Sequence, residues 1–324
     1  MKPDLPIKLD FDDSFFEGEW RSDHYVTPQA KKVWAVELDL LDQFIKFCEK
    51  NNITYFVAFG SLLGAIRHGG FIPWDDDIDV VVPTKDYNRI AQLAPEFFKE
   101  PYFYQSEKTD PGFSRYFARL RNSQTTAIAI EDADCRRNLN QGIWIDILPM
   151  DNIPDNSRER EEWIASLNRI HSKMQKFART VFRYNNKTRK ETLGKRMRYI
   201  VGPPAKLIWE KFGLKNPYYD RYEKLAQKYV NVNTKLMGVP WFTQFKDRTY
   251  WDKALFGSGK TAAFENLEVS IPEKEEMMLE QIYRDWRKPV KGAAVHQTTL
   301  FDPENSYLVY MNDPERLQEL KNEH

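Results

Sequence analysis

Val33, Val36, Leu40, Leu41, Phe44, Phe47 and Cys48 recur at three- and four-residue spacing. That is the stripe of a helix resting on a core. Thr27-Pro28 supplies an N-cap followed by proline at the first helical position, and Asn51-Asn52 ends the pattern, so a helix is predicted from 27 to about 50. The run ITYFVAF (53–59) is mostly apolar, β-branched and aromatic, and reads as a buried strand. Gly60-Ser61 and a short helical segment closed by Gly69-Gly70 follow. DIDVVV (77–82) is the next strand, stopped by Pro83, after which Thr84 caps a helix to about Phe98. RYFARLR, TTAIAI and GIWIDILPM (142–150) give three further strands, with a turn at 152–155.

Beyond Arg158 the texture changes to long charged helical segments. Between 158 and 198 there are 13 Lys/Arg against four acids, read as a solvated helical face or as an electropositive wall for an anionic acceptor. Helices near 203–213 and 217–230, a mixed segment 240–272 and a last helix 273–287 complete the pattern. The prediction is an α+β fold: a small mixed sheet flanked by helices, then a largely helical C-terminal half. Its divisions are an irregular N-terminal arm (1–26), a core (27–155) and a helical region (156–324).

Composition narrows the function classes. Lys+Arg 48 balances Asp+Glu 48, so the whole chain carries no electrostatic signature of a nucleic-acid partner. No segment approaches the ~18 apolar residues of a membrane span, which leaves at most peripheral membrane contact. Two cysteines, Cys48 and Cys135, make no disulfide scaffold. With no leader pattern at the N-terminus, the expectation is a cytoplasmic protein.

The chemistry concentrates in FGSLLGAIRHGGFIPWDDDIDVVVP (59–83). If the strand starts at Asp75, alternation puts Asp75, Asp77 and Asp79 on one face, and Asp76, Ile78, Val80 and Val82 on the other, toward the core. Crowded carboxylates raise one another's pKa, and a hard divalent cation removes that cost. Asp146, inside an apolar run, must be paired or metal-linked if it is buried. Gly60-Ser61, between a strand and a helix, suits a phosphate. Strand, Gly-Ser, helix and Asp-x-Asp on the next strand is the layout of a nucleotidyltransferase fold, with Mg²⁺ or Mn²⁺, one or two ions, as the expected cofactor.

That stretch closely resembles the signature of the LicD family of phosphocholine and related phospho-alcohol transferases. WIDILPMDNIP resembles its second motif through Gly142 and Asp146, and the segment 264–286 followed by His296 is similar to its C-terminal pattern. There the family usually has Tyr-Gly-Asp-Tyr, whereas this chain has Tyr283-Arg284-Asp285-Trp286. The resemblance implies transfer of phosphocholine from CDP-choline to a sugar hydroxyl of a cell-surface glycan (lipopolysaccharide, capsule or teichoic acid). The donor is then a CDP-alcohol, and the acceptor a glycan, lipid-linked in some cases, met at the inner face of the membrane. By position, Asp77 and Asp79 become metal ligands, Asp75 a contributor and Asp146 a metal ligand or the base, with Asp77, Asp79 and Asp146 catalytic. Gly60 and Ser61 hold donor phosphates, Arg67, His68, Arg119 and Arg121 are further phosphate candidates, and Glu265 and His296 are additional site candidates.

Trp20, Tyr102, Tyr104, Trp241 and Trp251 are candidates for an aromatic box around a choline-type ammonium. ALFGSGKT (254–261) imitates a phosphate loop, but Ala254 stands where glycine is required, so Gly257 and Gly259 read as a loop. Two other activities fit the acids: nucleotidyl transfer from an NTP, and glycosyl transfer from a nucleotide sugar.

Overall fold

The computed structural model describes residues 3–129, 139–182, 214–242, 248–290 and 299–323, with 204, 207, 208, 211 and 212 between them. Cys135, His296, the basic residues of 183–198 and much of the predicted helix near 203–213 lie outside the described residues.

Helix α1 (Pro28–Asn51) forms as its pattern predicts, and the Thr27 side chain accepts from the Ala30 amide. Its apolar stripe is wholly buried, but so are Lys31, Glu37 and Asp39. A helix buried this deeply needs partners for its polar groups. Asp39 finds them in the Lys8 and Leu9 amides (2.9 and 2.8 Å) and the Tyr102 hydroxyl (2.7 Å). Residues 3–26 therefore pack on the core and are not simply irregular. Strands β1 (Glu19–Arg21) and β2 (His24–Val26) pair as a hairpin, with Ser22 and Asp23 both at positive φ, the backbone a two-residue hairpin turn requires.

The central sheet is built around β8 (Ile143–Ile153), buried at ten of its eleven positions. On one side it runs parallel to β4 (Asp79–Pro83), which pairs in turn with β3 (Phe56–Val57). On the other side its first half pairs with β6 (Ala118–Asn122), itself paired with β5 (Tyr102–Gln105). Its second half pairs with β9 (Leu236–Gly238), which carries β10 (Tyr250–Asp252). β7 (Thr126–Ala129) leaves this sheet to pair with β13 (Thr299–Asp302), while β11 (Lys260–Phe264) and β12 (Leu267–Ile271) form a separate hairpin. The helices α2 (Phe59–His68), α3 (Thr84–Phe97), α4 (Ser157–Phe182), α5 (Tyr219–Ala226), α6 (Glu275–Tyr283), α7 (Tyr307–Asn312) and α8 (Pro314–Glu323) complete the described elements. The fold is the expected mixed sheet flanked by helices.

Several local expectations change, and the helix read as the last, observed as Glu275–Tyr283, is followed by α7 and α8. The first strand shrinks to Phe56–Val57, because Phe59 already begins α2. The turn at 152–155 gives way to strand through Ile153, which pairs with Leu236. β5 is a strand that the pattern missed. Thr84 starts α3 but does not cap it: its hydroxyl turns inward to Met150 O and Asp151 Oδ1. Asp151 is fully buried on β8, and satisfying its carboxyl outweighs capping a helix end. Cys48 is core as read, and Gly257 and Gly259 are loop residues at positive φ.

Candidate active site

The chain turns from β3 into α2 through Phe59, held at φ 49°. A non-glycine residue in that region needs support, and Phe59 has it from the rings of Phe242 and Trp251, each 5.8 Å away. The turn starts α2 against the acidic segment. A Cβ on Gly60 would stand 2.6 Å from Asp75 Oδ2, so a larger residue here would displace that carboxylate. Ser61 Oγ accepts from the Asp79 amide at 2.8 Å, which fixes the start of β4.

Asp75, Asp76 and Asp77 are not on the strand, which begins at Asp79. The Asp75 amide donates back to Ile72 O (2.9 Å), and Asp75 O accepts from the Trp34 indole (3.1 Å). These are the bonds of a turn, so two-residue alternation does not apply before Asp79. The correction matters for Asp76. The strand reading turned it to the core, whereas one carboxylate oxygen from each of Asp75, Asp76 and Asp77 falls within 4.8 Å of the others. Burial first, then the charges of Asp77 and Asp76, raises the Asp75 pKa to about 8. Asp79 is also pushed well above the usual carboxylate range, by burial and then by Asp77, Asp146 and Asp75.

Asp79 is in register with Asp146 across the parallel pair, Asp146 with Arg119 across the next, and Arg119 with Gln105 beyond. One polar row thus crosses four strands on one face of the sheet. Asp146 is buried and paired, as its apolar setting required: Arg119 Nε donates to Asp146 Oδ1 at 2.6 Å, and the guanidinium lies 4.0 Å from the Trp144 ring centroid. Arg121, one step along β6, donates to Gln105 Oε1 and to Gly142 O and belongs to the same buried network.

A cleft of about 180 Å³ opens beside the acids, lined among others by Gly60, Arg67, Trp74, Asp75, Tyr283 and Trp286. Arg67 faces it and donates to Trp286 O (2.8 Å) and to His68 Nε2 (2.9 Å). Burial and Arg67 lower the His68 pKa to about 4, so at neutral pH His68 accepts from Arg67 and offers no positive charge to a phosphate. Tyr283, at the end of α6, stands over the acids, and burial and the charges of Asp75, Asp79 and Asp77 raise its pKa.

The predicted aromatic box does not converge. Trp20 is exposed, Tyr102 and Tyr104 are buried on β5, Trp241 packs on Tyr222, and Trp251 on Phe59 and Phe256. The aromatics that do meet in the cleft are Trp74, Tyr283 and Trp286. Glu265 is absent from the cleft. It takes a two-pronged bond from Arg21 (2.5 and 3.0 Å) and accepts from the Phe71 amide, pinning the Gly69-Gly70 turn.

Glu37 and Trp34 are site residues that the sequence reading missed. Glu37 is 1% exposed and its Oε2 has no hydrogen-bond partner among the described residues. Burial first, then Asp76, Asp77, Asp75 and Asp146, raises its pKa well above the usual range. The signal was present: Glu37 falls four residues after Val33 and four before Leu41, inside the apolar stripe.

Arg284 follows Tyr283 at φ 58°, ψ −106°, a backbone region that favours glycine. The missing glycine of the C-terminal pattern is thus a backbone matter. Arg284→Gly is expected to stabilise the protein by about 1 kcal/mol, seen as a raised urea midpoint at unchanged slope. An unchanged or lowered midpoint counts against the strain.

Residues 52–183 match a family model described as LicD/FKTN/FKRP, nucleotidyltransferase domain. The similarity to the LicD family is carried by this stretch, which is less than half of the chain. The chain is 34% identical over 119 residues to the lipopolysaccharide cholinephosphotransferase LicD of Haemophilus influenzae, covering 36% of this chain and 43% of that protein. It is 44% identical over 45 residues to the human ribitol 5-phosphate transferase FKRP, covering 14% of this chain and 9% of that protein. The mannosyltransferase regulator 4 of Saccharomyces cerevisiae is 29% identical over 112 residues, 33% of this chain and 9% of that protein. The chain thus spans less than half the length of each of these relatives. The LicD domain includes the Gly60 turn, the acids from Asp75 to Asp79, and Asp146. Trp34, Glu37, Tyr283 and Trp286 lie outside it.

Proposed function

We propose that this protein transfers a phospho-alcohol, with phosphocholine from CDP-choline as the leading donor, to a sugar hydroxyl of a glycan. One observation carries the reading. The glycine-permitted contact of Gly60 with Asp75 sets the first turn of α2 against the acidic loop, with Arg67 in the same cleft. Amides at a helix start and a guanidinium are phosphate donors, and clustered carboxylates are donors to a hard cation. The similarity to a cholinephosphotransferase and a ribitol 5-phosphate transferase supports the same class.

The donor set fits Mg²⁺ or Mn²⁺: hard oxygens within a few ångströms, in acids whose mutual repulsion a cation relieves. Asp75, Asp76 and Asp77 would hold it, with Asp79 alongside. When bound, it neutralises charge on the diphosphate and on the departing CMP. The chain's own residues do the rest. The Gly60-Ser61 turn and Arg67 hold the donor phosphates. The acceptor oxygen forms its bond to the phosphorus carrying the alcohol as the bond to CMP breaks, and Asp146 takes the hydroxyl proton as Arg119 shifts toward the transferred phosphoryl group. Trp74 and Tyr283, beside the carboxylates of Asp75 and Asp285, seat the alcohol, and such faces favour an ammonium. No described helix is long and apolar enough to cross a membrane; a lipid-linked acceptor would be met at the inner membrane face.

The test is the melting temperature with and without Mg²⁺ against CDP-choline, CDP-ribitol, CTP, ATP and UDP-sugars. Ligand at about 100 times its Kd adds ~2.7 kcal/mol of stability. The expected result is a Mg²⁺-dependent rise with CDP-choline, absent with ATP and UDP-sugars. A rise with CDP-ribitol alone keeps the class and changes the alcohol. A response only to triphosphates makes the protein a nucleotidyltransferase, and one only to UDP-sugars a glycosyltransferase.

A further inference from the structure

Helix α1 meets the acidic loop along one face. Trp34 donates its indole N–H to Asp75 O, and Glu37 is the residue three further on, which a helix places on the same side. The Glu37 side chain is 1% exposed, and its Oε2 is left without a hydrogen bond among the described residues. Nor is Glu37 in any ion pair among the described residues; Lys31, the buried cation on the same helix, is paired with Glu19. The largest charges acting on Glu37 are those of Asp76, Asp77, Asp75 and Asp146, all acids. A buried carboxylate oxygen with no hydrogen-bond partner among the described residues is costly to leave so. A positive charge from outside the chain is the partner that satisfies it.

We propose that Glu37 is a direct ligand of the divalent cation, reaching it from the helix side by a turn of its side chain, since its oxygens lie outside the 4.8 Å group of Asp75, Asp76 and Asp77. The inference rests on the reading of that loop as a cation site. It gives α1 a part in the chemistry, although α1 lies outside the matched domain, and it ties the ion to both the loop and the helix beneath.

The test uses the full chain and Mn²⁺ as probe, with free Mn²⁺ counted by electron paramagnetic resonance and with melting temperatures recorded alongside. The wild type is expected to bind Mn²⁺ and to melt higher in its presence. Glu37→Gln keeps the shape and removes the charge. It is expected to weaken Mn²⁺ binding by at least about 10-fold and to lose most of the Mn²⁺-induced rise, while melting no lower than wild type without metal. Glu37→Asp keeps the charge on a shorter arm, so it should bind with intermediate affinity; it also keeps the test alive if the glutamine variant fails to fold. If Glu37→Gln binds Mn²⁺ as wild type does while Asp77→Asn does not, Glu37 is no ligand and the cation site stands. If wild type binds no Mn²⁺ at millimolar concentration, the cation site itself fails, and this inference with it.

Discussion

Replacing Asp79 by asparagine is expected to lower turnover by more than about 100-fold and to leave the fold standing, with a metal-free melting temperature equal to or above that of wild type. The two halves of this result have one cause. Asp79 begins β4, its amide held by Ser61 Oγ and its Cα in register with Asp146. Burial and the charges of Asp77, Asp146 and Asp75 oppose its ionisation, and Arg119 offsets this only in part. Asparagine keeps the size and removes the repulsion, so nothing is lost from the metal-free protein. What would be lost, on the proposed reading, is the negative charge that holds the cation and, through the cation, the donor diphosphate. Release of CMP from the donor measures the first half, and thermal melting the second. Near-wild-type turnover would remove Asp79 from the mechanism. A clear fall in metal-free melting temperature would show that its carboxylate is structural.

Arg119→Met should carry a large stability effect. Arg119 and Asp146 have side chains each 8% exposed and an Nε–Oδ1 distance of 2.6 Å. Removing one member of such a pair leaves a buried charge uncompensated, at about 3–5 kcal/mol. Here the abandoned carboxylate also stands beside Asp79. The urea midpoint should fall accordingly. Adding Asp146→Leu to Arg119→Met should restore much of the loss, because the double change removes both charges at once. A loss below about 1 kcal/mol in Arg119→Met, the range of exposed pairs, would mean that water reaches the pair.

Much of this was legible because it depends on local rules. The α1 stripe, the Thr27-Pro28 start, the apolar strands around Asp79 and Asp146, and the need for a partner at Asp146 all follow from spacing and burial cost. What escaped depends on contacts between distant segments. Asp76 was turned inward because alternation was carried back into a segment whose backbone bonds go to Ile72 and Trp34. Thr84 was read as a cap because its tie to Asp151 crosses 67 positions. Glu37 stood in plain view in an apolar stripe, but only its place beneath the acids makes it more than a buried oddity. Tyr283 reaches the acids from another end of the chain altogether.

The Arg21–Glu265 pair joins residues 244 positions apart, and the same glutamate accepts from the Phe71 amide beside the Gly69-Gly70 turn. Closing a span of that length costs roughly 5 kcal/mol in chain entropy, met only when the rest of the fold has brought the ends together. On the ribosome, a chain that has delivered its Gly-Ser turn and the aspartates from Asp75 to Asp146 still lacks the residue that ties down the turn between them. Tyr283 emerges later still. The cleft is therefore finished only after residue 283 has been made, so a partly made chain exposes the acids without the walls that would make them useful.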